Sequence, residues 1–379
     1  MPLKVLVVDD SGFFRQRLTE LIESGNEIKV VGYAQNGAEA VDKVAKLKPD
    51  VVTMDYEMPV MDGVTAVRHI MKQNPLPILM LSSMTYEGAK VTLDALEAGA
   101  VDFMPKNFAE VSKGSAKLKK ILQDRLRAIS GQANASAPSA PAARAVPARP
   151  LAGRSAPAAR PVSPARRVQP GSASAPTASA DLEPPKKRGL KKTYQLLAIG
   201  TSTGGPVALT EVLTKLPGNF PLPIVLIQHM PHNFTKAFAD RLNRQCNIQV
   251  KEAEDGDALR PGVALLAPGG KQMMVSKGKV RIIESDERLN YKPCVDVTFG
   301  SAAKAFGDKV LSIVLTGMGS DGCDGARMLS QAGSTVWSQD QATSVIYGMP
   351  MAVYNAGLSD RVLALPEVGG AIIEEVSRG

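Results

Sequence analysis

Short apolar runs that stop abruptly at polar residues recur along the chain, and between them apolar positions return every three to four residues. Residues 3–8 form such a run and stop at Asp9-Asp10, 50–55 stop at Asp55, 77–81 at Ser82-Ser83, and 100–104 just before Lys106. Runs this short read as strands, and the stretches 14–22, 37–47, 63–71 and 86–98 between them read as amphipathic helices. The alternation resumes near residue 193, with expected strands at 195–199, 223–228, 262–267, 310–315 and 334–338. Strands that alternate with helices imply α/β architecture with mostly parallel sheets. The stretch 275–283, with Lys277-Gly278-Lys279 at its centre, reads instead as a hairpin at a sheet edge.

Between the two alternating regions the pattern disappears. Residues 131–192 hold 11 of the chain's 27 prolines, no aromatic residue, and mostly Ala, Ser and Arg. Such a segment has too little apolar surface to fold and is expected to be a disordered, partly polyproline linker. The expected organisation is therefore a first domain over 1–130, a linker over 131–192 and a second domain over 193–379, consistent with a length of 379 residues.

Charge sharpens this division. The net charge is +8, but the linker alone carries 11 Lys+Arg against Asp181 and Glu183. Removing these from the chain's 45 basic and 37 acidic residues leaves 34 against 35, so the folded parts are about neutral. With no basic patch and no helix-turn-helix signature, a nucleic-acid-binding output is not expected. No run approaches the roughly 18 apolar residues of a membrane span, and no secretory leader opens the chain, so a soluble cytoplasmic protein without membrane insertion is expected. Cys246, Cys294 and Cys323 show no CxxC spacing and fit a reducing compartment.

Chemistry concentrates where the apolar runs end. In a parallel α/β sheet, residues at the C-terminal strand ends converge on one crevice. Asp9, Asp10 and Asp55 are then clustered carboxylates suited to a hard divalent cation, most simply Mg²⁺. In the second region, the run 196–199 enters Gly200-Thr201-Ser202-Thr203-Gly204-Gly205-Pro206, which reads as strand, tight turn and helix. Ser202 thus sits at the apex of the turn beside a helix N-terminus, where it is either a nucleophile or part of an anion cradle. A serine nucleophile needs an imidazole and an orienting carboxylate. His229 ends the next strand and is preferred as the base over His232, which lies beyond Pro231; Asp321 follows the strand at 310–315. His69 reads as a surface residue. The order Ser, His, acid excludes the α/β-hydrolases, whose triads run Ser, acid, His, and no Lys-Ser/Thr follows the glycines as a phosphate loop requires.

The first region resembles a response-regulator receiver domain over its full length, on the strength of Asp-Asp, Asp, Ser and Lys at successive strand ends. The resemblance implies a flavodoxin-like doubly wound parallel sheet in which Asp55 accepts a phosphoryl group from a histidine kinase. It also implies that Asp9, Asp10, Asp55 and Tyr56 hold Mg²⁺, that Ser82 and Lys106 sense the phosphate, and that Phe103 is the switch aromatic. Receivers usually place proline directly after this lysine, whereas here Pro105 precedes Lys106. With Ile-Gly-Thr-Ser-Thr-Gly-Gly, Gln-His-Met, Ala-Pro-Gly-Gly and Thr-Gly-Met-Gly-Ser-Asp-Gly in that order behind a receiver, both folded regions together resemble the chemotaxis protein-glutamate methylesterases. That resemblance implies a doubly wound, mostly parallel α/β esterase domain without a cofactor of its own. It also implies hydrolysis of glutamyl γ-methyl esters on chemoreceptors, together with deamidation of receptor glutamines. Ser202 is then the nucleophile, His229 the base and Asp321 its orienting acid, with Thr203 and the Met318 backbone as helpers. Lys292-Pro293-Cys294 stands where that family carries Arg-Pro-Ser.

Overall fold

The computed structural model describes residues 1–23, 26–106, 116–133, 193–286 and 288–378. The first region runs β1 (Leu3–Val8), α1 (Gly12–Ile22), β2 (Ile28–Ala34), α2 (Gly37–Leu47), β3 (Val51–Asp55), α3 (Gly63–Gln73), β4 (Ile78–Ser82), α4 (Tyr86–Glu97), β5 (Asp102–Pro105) and α5 (Ala116–Ala133). Its five strands are all parallel, in the order β2-β1-β3-β4-β5. Successive β1 residues point to opposite faces: Leu6 and Val8 pack with α2 and α3, whereas Val5 and Val7 pack with Phe14 and Leu18 of α1 and Leu122 of α5. Burial on both faces is why β3 and β4 read as mostly apolar runs rather than alternating ones. Four helices are started by their own polar caps, since Ser11, Asn36, Asp62 and Thr85 each accept a first-turn N–H.

The second region runs β6 (Leu196–Thr201), α6 (Gly205–Leu213), β7 (Ile224–Gln228), α7 (Phe234–Gln245), β8 (Gln249–Glu252), β9 (Val263–Leu266), β10 (Lys271–Ser276) and β11 (Lys279–Glu284). It continues with α8 (Val295–Phe306), β12 (Val310–Val314), α9 (Cys323–Gln331), β13 (Thr335–Gln339), α10 (Met349–Asn355), β14 (Arg361–Leu363) and α11 (Leu365–Ser377). Seven of these strands form a sheet in the order β14-β13-β12-β6-β7-β9-β8, with every pairing parallel. Leu197 and Ile199 of β6 pack with α6 and α7, and Leu196 and Ala198 with α8 and α9, so this sheet too is wound on both faces. The strand order reverses at β6, which opens a crevice at its C-terminal end.

Five features depart from the sequence reading. β2, β8 and β14 were not expected; all three are edge strands, and the partly exposed β2 and β14 and the four-residue β8 give no buried apolar run. The hairpin at 275–283 exists as β10 and β11, but it forms a separate two-stranded antiparallel sheet packed against α8 rather than an edge of the main one. α5 was likewise not expected, and it runs to Ala133, three residues into the stretch assigned to the linker; the rest of that stretch up to 192 lies outside the described residues.

The two sheets belong to one compact unit. Phe103 of β5 stacks on Phe234 of α7 with ring centroids 4.6 Å apart and planes 3° from parallel. Around that stack, Tyr86 donates to Asp240 at 2.6 Å, Asn233 donates to the Met84 carbonyl at 3.0 Å, and Arg241 of α7 pairs with Asp94 at 2.5 Å and with Glu97.

Candidate active site and phosphorylation site

The main sheet brings the ends of β6, β7 and β12 side by side, because their ladders are parallel and in register. Ser202 follows β6, His229 follows β7, and the loop carrying Asp321 follows β12. The His229 N–H donates to the Thr201 carbonyl at 3.1 Å and the Ser202 N–H to the Thr316 carbonyl at 3.0 Å, which laces the three strand ends together. Gly204 makes the elbow after the serine, with φ of 78°, a left-handed conformation that favours glycine. Gly317 is required for a different reason: a Cβ there would lie 2.7 Å from the Ser202 Cβ and 2.4 Å from the Met349 Sδ.

His229 Nε2 lies 2.6 Å from Asp321 Oδ2, and both side chains are almost fully buried. Burial pushes the Asp321 carboxyl up, but the His229 ring and the Asp296 and Val295 N–H groups outweigh it and hold the carboxyl well below its usual range. An ionised carboxylate only accepts, so Nε2 is the donor of this pair, and in the neutral ring Nδ1 is then the acceptor. That Nδ1 is buried without a hydrogen-bond partner. It is the ring atom open to take a proton from a serine hydroxyl, although Ser202 and His229 are not hydrogen-bonded to each other in this state. Such contacts commonly tighten only with substrate present. His232 is exposed on the following loop, and His69 is exposed on α3.

The support behind Asp321 was not foreseen. Its carboxylate accepts the N–H groups of Val295 at 2.8 Å and Asp296 and Gly322 at 3.0 Å, and the Cys294 thiol at 3.2 Å. Val295 and Asp296 open α8, so Asp321 sits at a helix N-terminus that favours its charge. Of Lys292-Pro293-Cys294, the cysteine therefore forms part of the wall behind the acid. Burial, reinforced by the charge of Asp321, pushes the Cys294 thiol up to about 12, which makes it a donor rather than a nucleophile. Asp296 in turn accepts the N–H groups of Gly322 and Gly325.

Two further expected residues meet the first region. Thr203 is buried and donates to Asp102 Oδ2 at 2.8 Å, and the same carboxylate pairs with Arg125 of α5. Met318 packs, with Val345 and Ile346, against the apolar cluster that contains Met104, Leu118 and Leu122.

At the other crevice, Asp9 and Asp55 are buried, and Lys106 Nζ lies 2.7 Å from each. The Lys106 N–H still donates to the Ser82 carbonyl, so Pro105 ahead of it closes β5 without turning the amine away. Burial pushes the Asp55 carboxyl up to about 6 against the opposing pull of Lys106. Three carboxylates, Asp9, Asp10 and Asp55, have oxygens within 4.8 Å of one another, and the ammonium pairs with two of them. An all-oxygen set in excess of its counter-charge fits Mg²⁺. Ser82 is turned to Thr92 and the Gly88 carbonyl, and the Tyr56 carbonyl accepts the Gly63 N–H while its hydroxyl meets Ser83.

A receiver-like sheet with an acidic crevice, joined to an α/β sheet with serine, histidine and aspartate on one rim, defines a response regulator with a hydrolase output. Residues 197–372 match the CheB methylesterase family and residues 5–115 the response regulator receiver domain family. A protein-glutamate methylesterase/protein-glutamine glutaminase of Pseudomonas syringae pv. syringae (strain B728a) is 60% identical over 399 residues, covering 99% of each chain. One from Pseudomonas putida (strain KT2440) is 60% identical over 378 residues with the same coverage. The crystal structure of the Thermotoga maritima CheB methylesterase catalytic domain is 41% identical, with a TM-score of 0.46, over 48% of this chain and 98% of that one. The chain belongs to the CheB methylesterase family. Among the described residues no helix is long and apolar enough to cross a membrane.

Proposed function

We propose that this chain is a cytoplasmic, phosphorylation-activated serine esterase that hydrolyses glutamate γ-methyl esters on chemoreceptors and deamidates receptor glutamines. The observation that carries the chemistry is the His229–Asp321 pair, with Nε2 committed to the carboxylate and Nδ1 left bare at the rim of Ser202. Ser202 Oγ attacks the ester carbonyl carbon while His229 Nδ1 takes its proton. The oxyanion faces the N-terminus of α6 and the Met318 N–H. Collapse expels methanol, which receives the proton from His229. Water, deprotonated by the same ring, then hydrolyses the acyl-serine and leaves a glutamate carboxylate. No cofactor takes part in these steps.

The same reading assigns the phosphoryl group of a chemotaxis histidine kinase to Asp55. Asp9, Asp10 and Asp55, with the Tyr56 carbonyl, would hold the Mg²⁺ that supports this transfer, and Ser82 and Lys106 would engage the phosphate. In the unphosphorylated chain the receiver lies across the rim: Asp102 occupies Thr203 and the receiver's apolar cluster covers Met318. Phosphorylation shifts the population away from this arrangement and admits a receptor helix. Methanol release from methylated receptor membranes tests the chemistry. Ser202→Ala and His229→Ala are each expected to lower it by several orders of magnitude and His232→Ala far less. Activity of Ser202→Ala within tenfold of wild type removes the serine from the mechanism.

A further inference from the structure

A second ring stands at the rim. Tyr291, in the loop between β11 and α8, lies parallel to the imidazole of His229, with centroids 4.1 Å apart and planes 7° from parallel. A Cβ on Gly319 would come within 2.9 Å of its phenol oxygen, so the phenol end of the ring reaches the loop that carries Asp321. The loop's anchor is its backbone: the Tyr291 carbonyl accepts from Gln272 Nε2 at 2.7 Å, and the buried Gln272 also accepts the Cys294 N–H at 2.8 Å. The side chain is thus not needed to hold the loop. Burial pushes the phenol up and the charge of Asp321 adds to this, against the opposing pull of Arg125, so it stays neutral at working pH and the face of the ring is what it offers His229.

The imidazole has one hydrogen bond, through Nε2. A single in-plane bond fixes the direction of one vertex and leaves the ring free to rock about it, which carries Nδ1 away from the serine. A parallel aromatic ring at van der Waals distance blocks that motion. It also presents a π face to the positive charge that the imidazole acquires when it takes the serine proton. We propose that Tyr291 is a positioning residue of the triad, holding the His229 plane so that Nδ1 meets Ser202 and steadying the imidazolium through its ring face.

The charged and titratable groups around this pair are Asp321 from the loop after β12, Asp296 and Cys294 behind it, and Arg125 from α5 on the Tyr291 side. None of them is altered by changing the tyrosine ring. The inference rests on His229 being the base, and His229→Ala tests that point by itself.

The test is steady-state methanol release by the full-length chain, activated with acetyl phosphate and Mg²⁺, over a range of pH. Tyr291→Phe and Tyr291→Trp are expected to keep kcat within about twofold, since either ring supplies a face. Tyr291→Leu is expected to lower kcat about tenfold with KM nearly unchanged. It should also move the acid limb of the kcat/KM profile about half a unit to lower pH, because the protonated ring loses a stabilising partner. If thermal melting shows that Tyr291→Leu is unfolded, Tyr291→Met fills the same space without an aromatic face and carries the same expectations. The proposal is overturned if the folded aliphatic variant keeps kcat within twofold, or if it raises KM alone, which would make Tyr291 a substrate contact. Phenylalanine as damaging as leucine would overturn it too, by placing the function in the hydroxyl.

Discussion

Asp296 shows how much of the site depends on residues that do not touch substrate. It accepts the Gly322 and Gly325 N–H groups, while its own N–H donates to Asp321. Burial first, and then the neighbouring Asp321 charge, raise its carboxyl above the usual range. A group whose folded value is raised contributes stability that is complete below its unfolded value, about 4, and is lost as pH rises through the folded one. Asparagine keeps an acceptor oxygen for both N–H groups but does not titrate. Asp296→Asn is therefore expected to gain in melting temperature relative to wild type between pH 5 and pH 8, as read by calorimetry at each pH. A wild-type advantage that grows over that range would show that the ionised carboxylate is needed.

Among elements, α4 and α7 carry charged contacts between the two regions, and the proposed covering of the rim makes them the place to test it. Arg241 is largely buried between Asp94 and Glu97, and the Phe103–Phe234 stack lies in the same interface. A pair of this kind at a partly exposed interface is worth little by itself. Reversing its sign, however, adds repulsion on top of the lost attraction. A shift of about 1.4 kcal/mol between covered and open arrangements changes their ratio tenfold. Arg241→Glu is expected to raise the basal rate of the unphosphorylated chain roughly three- to tenfold and to shrink its further stimulation by a phosphodonor. Unchanged basal methanol release in a folded variant would mean that this contact does not govern access.

For the whole molecule, the two crevices are separate chemical systems, and among the described residues they meet through the α4–α7 contact, the Asp102–Thr203 bond and the apolar cluster around Met318. Acetyl phosphate with Mg²⁺ is expected to raise the rate of the full chain several-fold and to leave Asp55→Asn unmoved. Chelating the metal should abolish this response yet leave the elevated rate of Arg241→Glu intact, because the proposed ester hydrolysis uses no metal. Loss of the Arg241→Glu rate on chelation would place the metal in the hydrolytic site, and stimulation surviving in Asp55→Asn would place the phosphate elsewhere.

The strand-end chemistry was readable along the chain because it is local. An apolar run long enough to be buried on both faces must be an inner strand, and parallel ladders bring successive C-terminal ends into one crevice, so Asp9, Asp55, Ser82, Ser202, His229 and Asp321 stand out without any knowledge of contacts. Edge strands such as β2 and β14 escaped for the converse reason, since one side of each faces water and their apolar content is diluted. What only the tertiary structure decided is the set of pairings between loops far apart in sequence. The N–H groups of Val295 and Asp296 meet Asp321, the ring of Tyr291 meets His229, and Asp102 meets Thr203. Each depends on how a crossover helix or a whole sheet packs. Periodicity describes which face an element buries and carries no information about which partner it buries that face against.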